Sequence, residues 1–347
     1  MTIDPADLQA DGAAAGHRRP KMSFSVDGWD PTYGTSLELE EDLGESSAEV
    51  DIGIELPPDQ WRPIPAAPTV APPCPVLFVD GVRRIEARVW IDDVSNGSPA
   101  TDASAAICAS YAAGVVCCCN AGAHFVSGET RRGLVTVAPH AEDIVTFAGP
   151  YGASVAKPNP KMPLSVTLST ALQGRLADIE LLVAVGARAQ SNGHSTDGDD
   201  LLVVDGPLRG RSHLPRALGY IKSHRAAYLP SEQHAMVGRL ASGQRTPVFR
   251  MGTTWDRHSW YLRLPCLPSA PWSGIVRVEC SPDLPVAQVV ALANLCQVTL
   301  VRFASTEYKD ARAPQNLYPI VGLEKELRRR LGDSRLLYRA LRMAASR

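Results

Sequence analysis

Two short apolar runs in this chain end in the same way. Val76-Leu77-Phe78-Val79 leads into Asp80-Gly81, and Leu201-Leu202-Val203-Val204 leads into Asp205-Gly206. Four consecutive apolar residues bounded by turn-forming ones predict a buried strand. A carboxylate at the end of such a strand is held rigidly, yet faces the open edge of the sheet. If the two strands are neighbours, both carboxylates converge. Two close carboxylates repel unless they share a proton or a cation. A divalent metal relieves that repulsion and attracts phosphate oxygens as well. The competing expectation is that each Asp-Gly only turns the chain, the common fate of such a dipeptide.

The stretches around them set the fold class. Val82 to Asp92 alternates, with Ile85, Ala87, Val89 and Ile91 on one face, and predicts a second, half-exposed strand. Ala105 to Cys119 predicts a third, since Val115, Val116 and the cysteines favour strand over helix. Gly133 to Ala138 is a further short strand or part of an insertion. Leu168, Leu172, Leu176, Ile179, Leu182 and Val183 then recur at three and four residues, predicting a helix over Leu164 to Ala189. Ser165, Thr167 or Ser169 would cap it. Strand, strand, strand, long helix, strand is the order of the ribonuclease H-like fold, so we expect an α/β mixed sheet with flanking helices. Later strands are expected at Thr246–Met251, Trp260–Leu264, Gly274–Glu279 and Gln297–Phe303, with a helix at Pro285–Cys296. Tyr318 to Ala345 should be a basic C-terminal helix.

Charge is unevenly spread. Residues 1–60 hold 14 acidic and three basic side chains, a net of −11, so the rest of the chain stands at +9 within a total of −2. Residues 1–56 read as an acidic, largely disordered arm. Residues 57–75 are proline-dense and read as an extended linker. Residues 76–347 form the expected folded domain. A basic body behind an acidic arm suits a polyanion partner, although a solubilising tail beside an Arg-rich surface would look the same. The longest uninterrupted apolar run, Tyr111 to Cys119, is far shorter than the roughly 20 residues a membrane span needs. No signal peptide is evident, so a cytoplasmic location without membrane contact is expected. The eight cysteines contain no CxxC pair, and no Cys/His spacing fits a zinc site. They are expected to be reduced packing residues.

A two-metal site usually needs a third acidic ligand. The long helix offers Asp178 and Glu180, roughly 200° apart around its axis, so only one can face the sheet. Glu180 borders the apolar stripe and is preferred over Asp178. Taken in order, the blocks FVDG, VVDGPL, LGYIKSH and RAPQNL resemble the NurA nuclease family, from about Val76 to Leu341. That resemblance implies a dimeric, manganese-dependent (or magnesium-dependent) nuclease with two ions. It would resect DNA ends, acting on single strands and from 5′ ends, alongside a hexameric HerA-type ATPase in DNA repair. By position it implies metal ligation by Asp80, Asp205 and Glu180, and a phosphate contact from Lys222. The family's C-terminal histidine is missing here, since no histidine follows His258, and Glu324 is the nearest substitute ligand.

Arg209, Arg211, Arg216 and Arg225 follow the second aspartate and should rim the site. Arg328 and Arg329, on the last helix, should extend a salt-sensitive path for DNA phosphates. Trp255, Trp260 and Tyr261 are either base-stacking or core residues. Two other functions compete with nuclease activity. The missing histidine is compatible with an inactive ribonuclease H-like adaptor that docks on a DNA-translocating ATPase. An RNA-cutting or guide-dependent nuclease would use the same carboxylates.

Overall fold

The computed structural model describes residues 44–45, 48–91, 103–191, 200–224, 226–267, 272–306, 308–310 and 312–346. In chain order the strands and helices are β1 (Gly44–Glu45), β2 (Glu49–Asp51), β3 (Val76–Ile91), β4 (Ser104–Cys119), β5 (Gly122–Thr136), β6 (Ile144–Thr146) and β7 (Gly149–Val155). There follow α1 (Leu164–Ser191), β8 (Leu201–Asp205), β9 (Ala217–Ile221), β10 (Ala226–Ala227) and α2 (Ser231–Val237). Last come β11 (Phe249–Gly252), β12 (Asp256–Arg263), β13 (Ile275–Cys280), α3 (Val286–Leu300), α4 (Tyr318–Arg330) and α5 (Ser334–Ala345).

One sheet of 11 strands, ordered β2-β11-β12-β13-β9-β8-β3-β4-β5-β7-β6, forms the body. Its centre is β5-β4-β3-β8-β9. There β3, β4 and β5 form an antiparallel meander, and β8 lies parallel to β3 after the α1 crossover. This is the ribonuclease H-like arrangement expected from the element order, although the strands that fill it differ from those expected. Val76–Ile91 is one strand, not two, because Asp80-Gly81 keeps its pairing to Gly114 and Ala113 of β4. The third position of the meander is therefore taken by β5. Further along β3 a bulge between Ile85 and Ala87 shifts the alternation by one residue. It leaves Ile85 exposed and Glu86 buried, against the single-face pattern read from sequence.

Helices cover both faces of the sheet. On one, Leu168, Leu172, Leu176, Ile179 and Val183 of α1 pack on Leu77, Val79, Leu202 and Val204. Leu182, expected in that stripe, faces outward. The helix starts at Leu164, so Ser165, Thr167 and Ser169 lie inside its first turns and do not cap it. The Thr167 hydroxyl instead donates back to the Pro163 carbonyl. On the other face α3 packs through Val289, Leu292, Ala293, Cys296 and Leu300. This three-four spacing carries the helix through Leu300, and a 3₁₀ turn follows at Val301–Phe303, where a strand was expected over Gln297–Phe303. Val286–Phe303 is long and apolar enough to cross a membrane by composition, but its inward residues belong to the sheet's core.

Two further expectations change. The basic C-terminal segment is two helices, separated at Gly332, which has a positive φ of 82°. Asp333 then caps α5 by accepting from the Leu336 amide at 2.8 Å. Within the segment read as a disordered arm, Glu49–Asp51 is an edge strand paired with β11, and Glu55 is bound to the body through Arg245. The first 43 residues lie outside the described ones.

Candidate metal centre

The register of two strands builds the site. β3 and β8 pair in parallel from Val76↔Leu201 to Val79↔Val204. Asp80 and Asp205 are the next residue on each strand, and so sit side by side where that pairing stops. Asp205 ends its strand as expected; Asp80 lies at the point where its neighbour ends and β3 runs on. Side chains alternate along a strand, so Asp80 shares a face with Val82. On that face Val82 and Ala112 receive Leu323, Leu327 and Leu331 at the α4 end of the sheet. Seating Leu323 delivers its neighbour, Glu324. Oxygens of Asp80, Asp205 and Glu324 all lie within 4.8 Å of one another.

Cations and polar groups surround this trio. Lys222, just past β9, donates to Asp205 Oδ2 at 2.6 Å and to Asn316 Oδ1 at 2.9 Å. Arg312 donates to Glu324 Oε2 at 2.7 Å. Asn316 Nδ2 in turn donates to Asp310 at 3.2 Å. The Tyr220 hydroxyl, beside Asp205 in the β8–β9 register, donates to the Gln315 carbonyl at 2.6 Å. Asp80 is served least. Among the described residues its Oδ1 accepts only from the neighbouring Gly81 amide, and its buried Oδ2 has no hydrogen-bond partner. Burial, and then the charge of Asp205, hold its carboxyl well above the usual carboxylate range, against the opposing pull of Lys222.

Glu180 takes a different place from the one expected. It lies on α1, across β3 from Asp80, where its carboxylate fills the space that a side chain at Gly81 would occupy. It is buried and ion-paired with Arg211 at 2.5 Å, and stands outside the trio. Burial raises its pKa, with Arg211 opposing. Its charge still acts on Asp80. The structure therefore gathers Asp80, Asp205, Glu324 and Lys222, and holds Glu180 one layer away.

The expected DNA-contacting arginines divide. Arg211 is buried in its pair with Glu180 and is unavailable to a ligand. Arg216, at a positive φ of 46°, donates to the Asp200 carbonyl at 2.8 Å. Arg209 and Arg328 are exposed, Arg329 is exposed and paired with Glu326, and Arg225 lies outside the described residues. Trp260 and Tyr261 are core residues, which leaves Trp255, beneath the Arg257 guanidinium, as the only partly exposed ring of the three. Sequence reasoning missed Arg312 and Asn316. Both stand in the RAPQNL block, but only the packing of α4 shows what they hold.

No family model matches the chain, and no curated protein does. Among solved structures, the NurA nuclease from Sulfolobus solfataricus aligns over 77% of this chain and 81% of its own, at 10% identity and a TM-score of 0.37. The catalytic domain of human endonuclease V aligns over 78% and 87%, at 18% identity and a TM-score of 0.33.

The donor set is all oxygen. That suits a hard cation of the Mg²⁺ or Mn²⁺ class and not a thiophilic one. The unpartnered, buried Asp80 Oδ2 fits such an ion, because a cation would satisfy it and relieve the repulsion among the three carboxylates.

Proposed function

We propose that this chain is a metal-dependent nuclease that hydrolyses phosphodiester bonds of DNA at Asp80, Asp205 and Glu324. The observation that carries this reading is the buried, unpartnered Asp80 Oδ2 facing two more carboxylates. A fold loses stability by keeping such a group unless a ligand supplies the missing charge. Two Mn²⁺ or Mg²⁺ ions at such a site would activate water and stabilise the leaving oxygen. Asp80, Asp205 and Glu324 would hold the metal, with Lys222 and Arg312 paired to Asp205 Oδ2 and Glu324 Oε2. Lys222, whose Nζ contacts Asp205 and Asn316, would meet a non-bridging phosphate oxygen as a point charge. Glu180 positions Asp80 through Gly81 and adds negative potential. Exposed Arg209 and Arg328 would hold the DNA backbone without reading sequence.

DNA as substrate, action at ends, a homodimer and a hexameric HerA-type ATPase as partner come from the sequence resemblance to the NurA family. The test is degradation of an end-labelled single strand with Mn²⁺. Asp205→Asn and Asp80→Asn should each lower the rate by at least about 100-fold. Undiminished cutting by both would sink the reading.

A second reading has its own support. Lys222 and Arg312 already neutralise Asp205 and Glu324, as in a retired site kept as an adaptor on a DNA motor. Purified protein that binds an ATPase ring yet cuts nothing with any divalent ion would favour it.

A further inference from the structure

Three consecutive cysteines close β4, and they face two ways. Cys117 and Cys119 are two residues apart and share one face of the strand, while Cys118 points to the other. In the β4–β5 hairpin Cys117 lies directly opposite His124, and Cys119 opposite Gly122. The register therefore sets an imidazole beside two thiols at the hairpin end. We propose that Cys117, Cys119 and His124 form a second metal site, for a thiophilic cation of the zinc class, that clips the β4–β5 hairpin.

Geometry and chemistry both support the assignment. The two Sγ atoms and a ring nitrogen of His124 lie within 4.8 Å of one another. Two thiolates on a tetrahedral zinc, with bonds of ~2.3 Å, stand ~3.8 Å apart. His124 Nδ1 lies 3.4 Å from the Gly122 carbonyl, so the tautomer protonated there donates to it and presents Nε2 as a lone pair. That arrangement commonly orients a ligating histidine. Cys117 is buried, Cys119 half-buried and His124 exposed, so the site opens outward and leaves a fourth position for water or an external ligand. Cross-strand pairing, not chain spacing, brings these donors together.

This site is separate from the carboxylates. Cys117 pairs with Leu77 and packs on the α1 side, whereas Asp80 is three residues further along β3, ~10 Å away, and faces α4. Their chemistry divides likewise, two thiolates and an imidazole for a soft ion and three carboxylates for a hard one. Loading is not redox chemistry: one M²⁺ enters, the two thiols become thiolates, and two protons leave to solvent.

Cobalt(II) is the probe, added to full-length protein stripped with chelator. The expected result is a thiolate-to-cobalt charge-transfer band with tetrahedral visible absorption, discharged by one equivalent of Zn²⁺. Cys119→Ser and His124→Gln should each weaken cobalt binding at this band by at least about tenfold. Asp205→Asn should leave it unchanged. Both substituted groups are partly or fully exposed, and His124→Gln leaves the thiols in place, so loss of the band there cannot come from losing a core cysteine. No charge-transfer band in the unsubstituted protein, or a band undiminished in both variants, overturns the proposal.

Discussion

Asp80 is the residue whose cost to the fold is clearest. It is buried, faces Asp205 and Glu324, and leaves one oxygen without a partner. Without metal, Asp80→Asn should therefore raise stability while removing activity. The expected gain is about 1–2 kcal/mol in a urea unfolding midpoint measured with chelator. A loss of stability would show that the carboxylate has a structural partner. Asp205→Asn should do the opposite, because it strips the partly buried Lys222 of its counter-ion, a loss on the order of 3 kcal/mol. His224 gives a separate residue-scale prediction. Burial lowers its pKa from 6.5 to about 4, with the Ile275 carbonyl, 3.0 Å from Nε2, opposing. The unfolded chain then takes up a proton that the folded one refuses. Stability is fully present above about pH 6.5 and is lost as pH falls toward 4, by on the order of 3 kcal/mol. Unfolding free energies across that window should show a shallower slope in His224→Asn. Equal slopes would mean the ring protonates freely in the fold.

At the scale of elements, the contact between β3 and α1 depends on one missing side chain. Gly81 faces α1, where a Cβ would press on the Glu180 carboxylate and approach Leu176 Cδ1 to 2.8 Å. Gly81→Ala should displace α1, loosen the Glu180–Arg211 pair and destabilise the protein by about 1–3 kcal/mol. Denaturant unfolding measures this, and an unchanged midpoint would show that α1 is free to shift. The same glycine explains why the chain does not turn at Asp80-Gly81. Its backbone stays in the ladder with Ala113, and the small residue admits the helix where a larger one would not. Against the same strand, where the Arg84 guanidinium donates to the Gly332 carbonyl at 2.9 Å, Gly332 and Asp333 make the opposite choice and break a helix in two, which lets α4 lie on β3 and β4 while α5 reaches Leu134 and Tyr151 through Leu341.

For the whole molecule, the body extends upstream of the domain boundary read from sequence. Arg245 is 1% exposed and grips Glu55 with two bonds of 2.8 Å, and Glu55 Oε2 also accepts from the Val248 amide at 2.7 Å. Asn294 of α3 completes the clamp. The proline-rich segment thus leaves a fixed point, and Ile64 pairs with Arg245 further on. Glu55→Ala should leave a buried guanidinium uncompensated and cost about 3–5 kcal/mol in global unfolding. If residues 48–75 were a mere tether, the substitution would change nothing. That outcome is measurable by thermal unfolding.

The sequence by itself determined that Asp80 and Asp205 lie in buried apolar strands with a long helix between them. These are local properties: apolar runs declare buried strands, and a three-four repeat declares α1. Which strands fill the ribonuclease H-like order, and that these two are neighbours, was decided by the fold. Glu324 could be named only as a substitute for an absent histidine, because its distance from Asp80 depends on where Leu323 and Leu327 dock. Glu180 and Arg211 were read as ligand and DNA contact, yet folding pairs them with each other, since two opposite charges buried together must meet. The hairpin cysteines lacked any linear motif, and only register sets His124 against Cys117. The two aspartates were legible because each lies in a strand that defines the fold. What surrounds them comes from distant parts of the chain, and tertiary packing alone decides which charge reaches which.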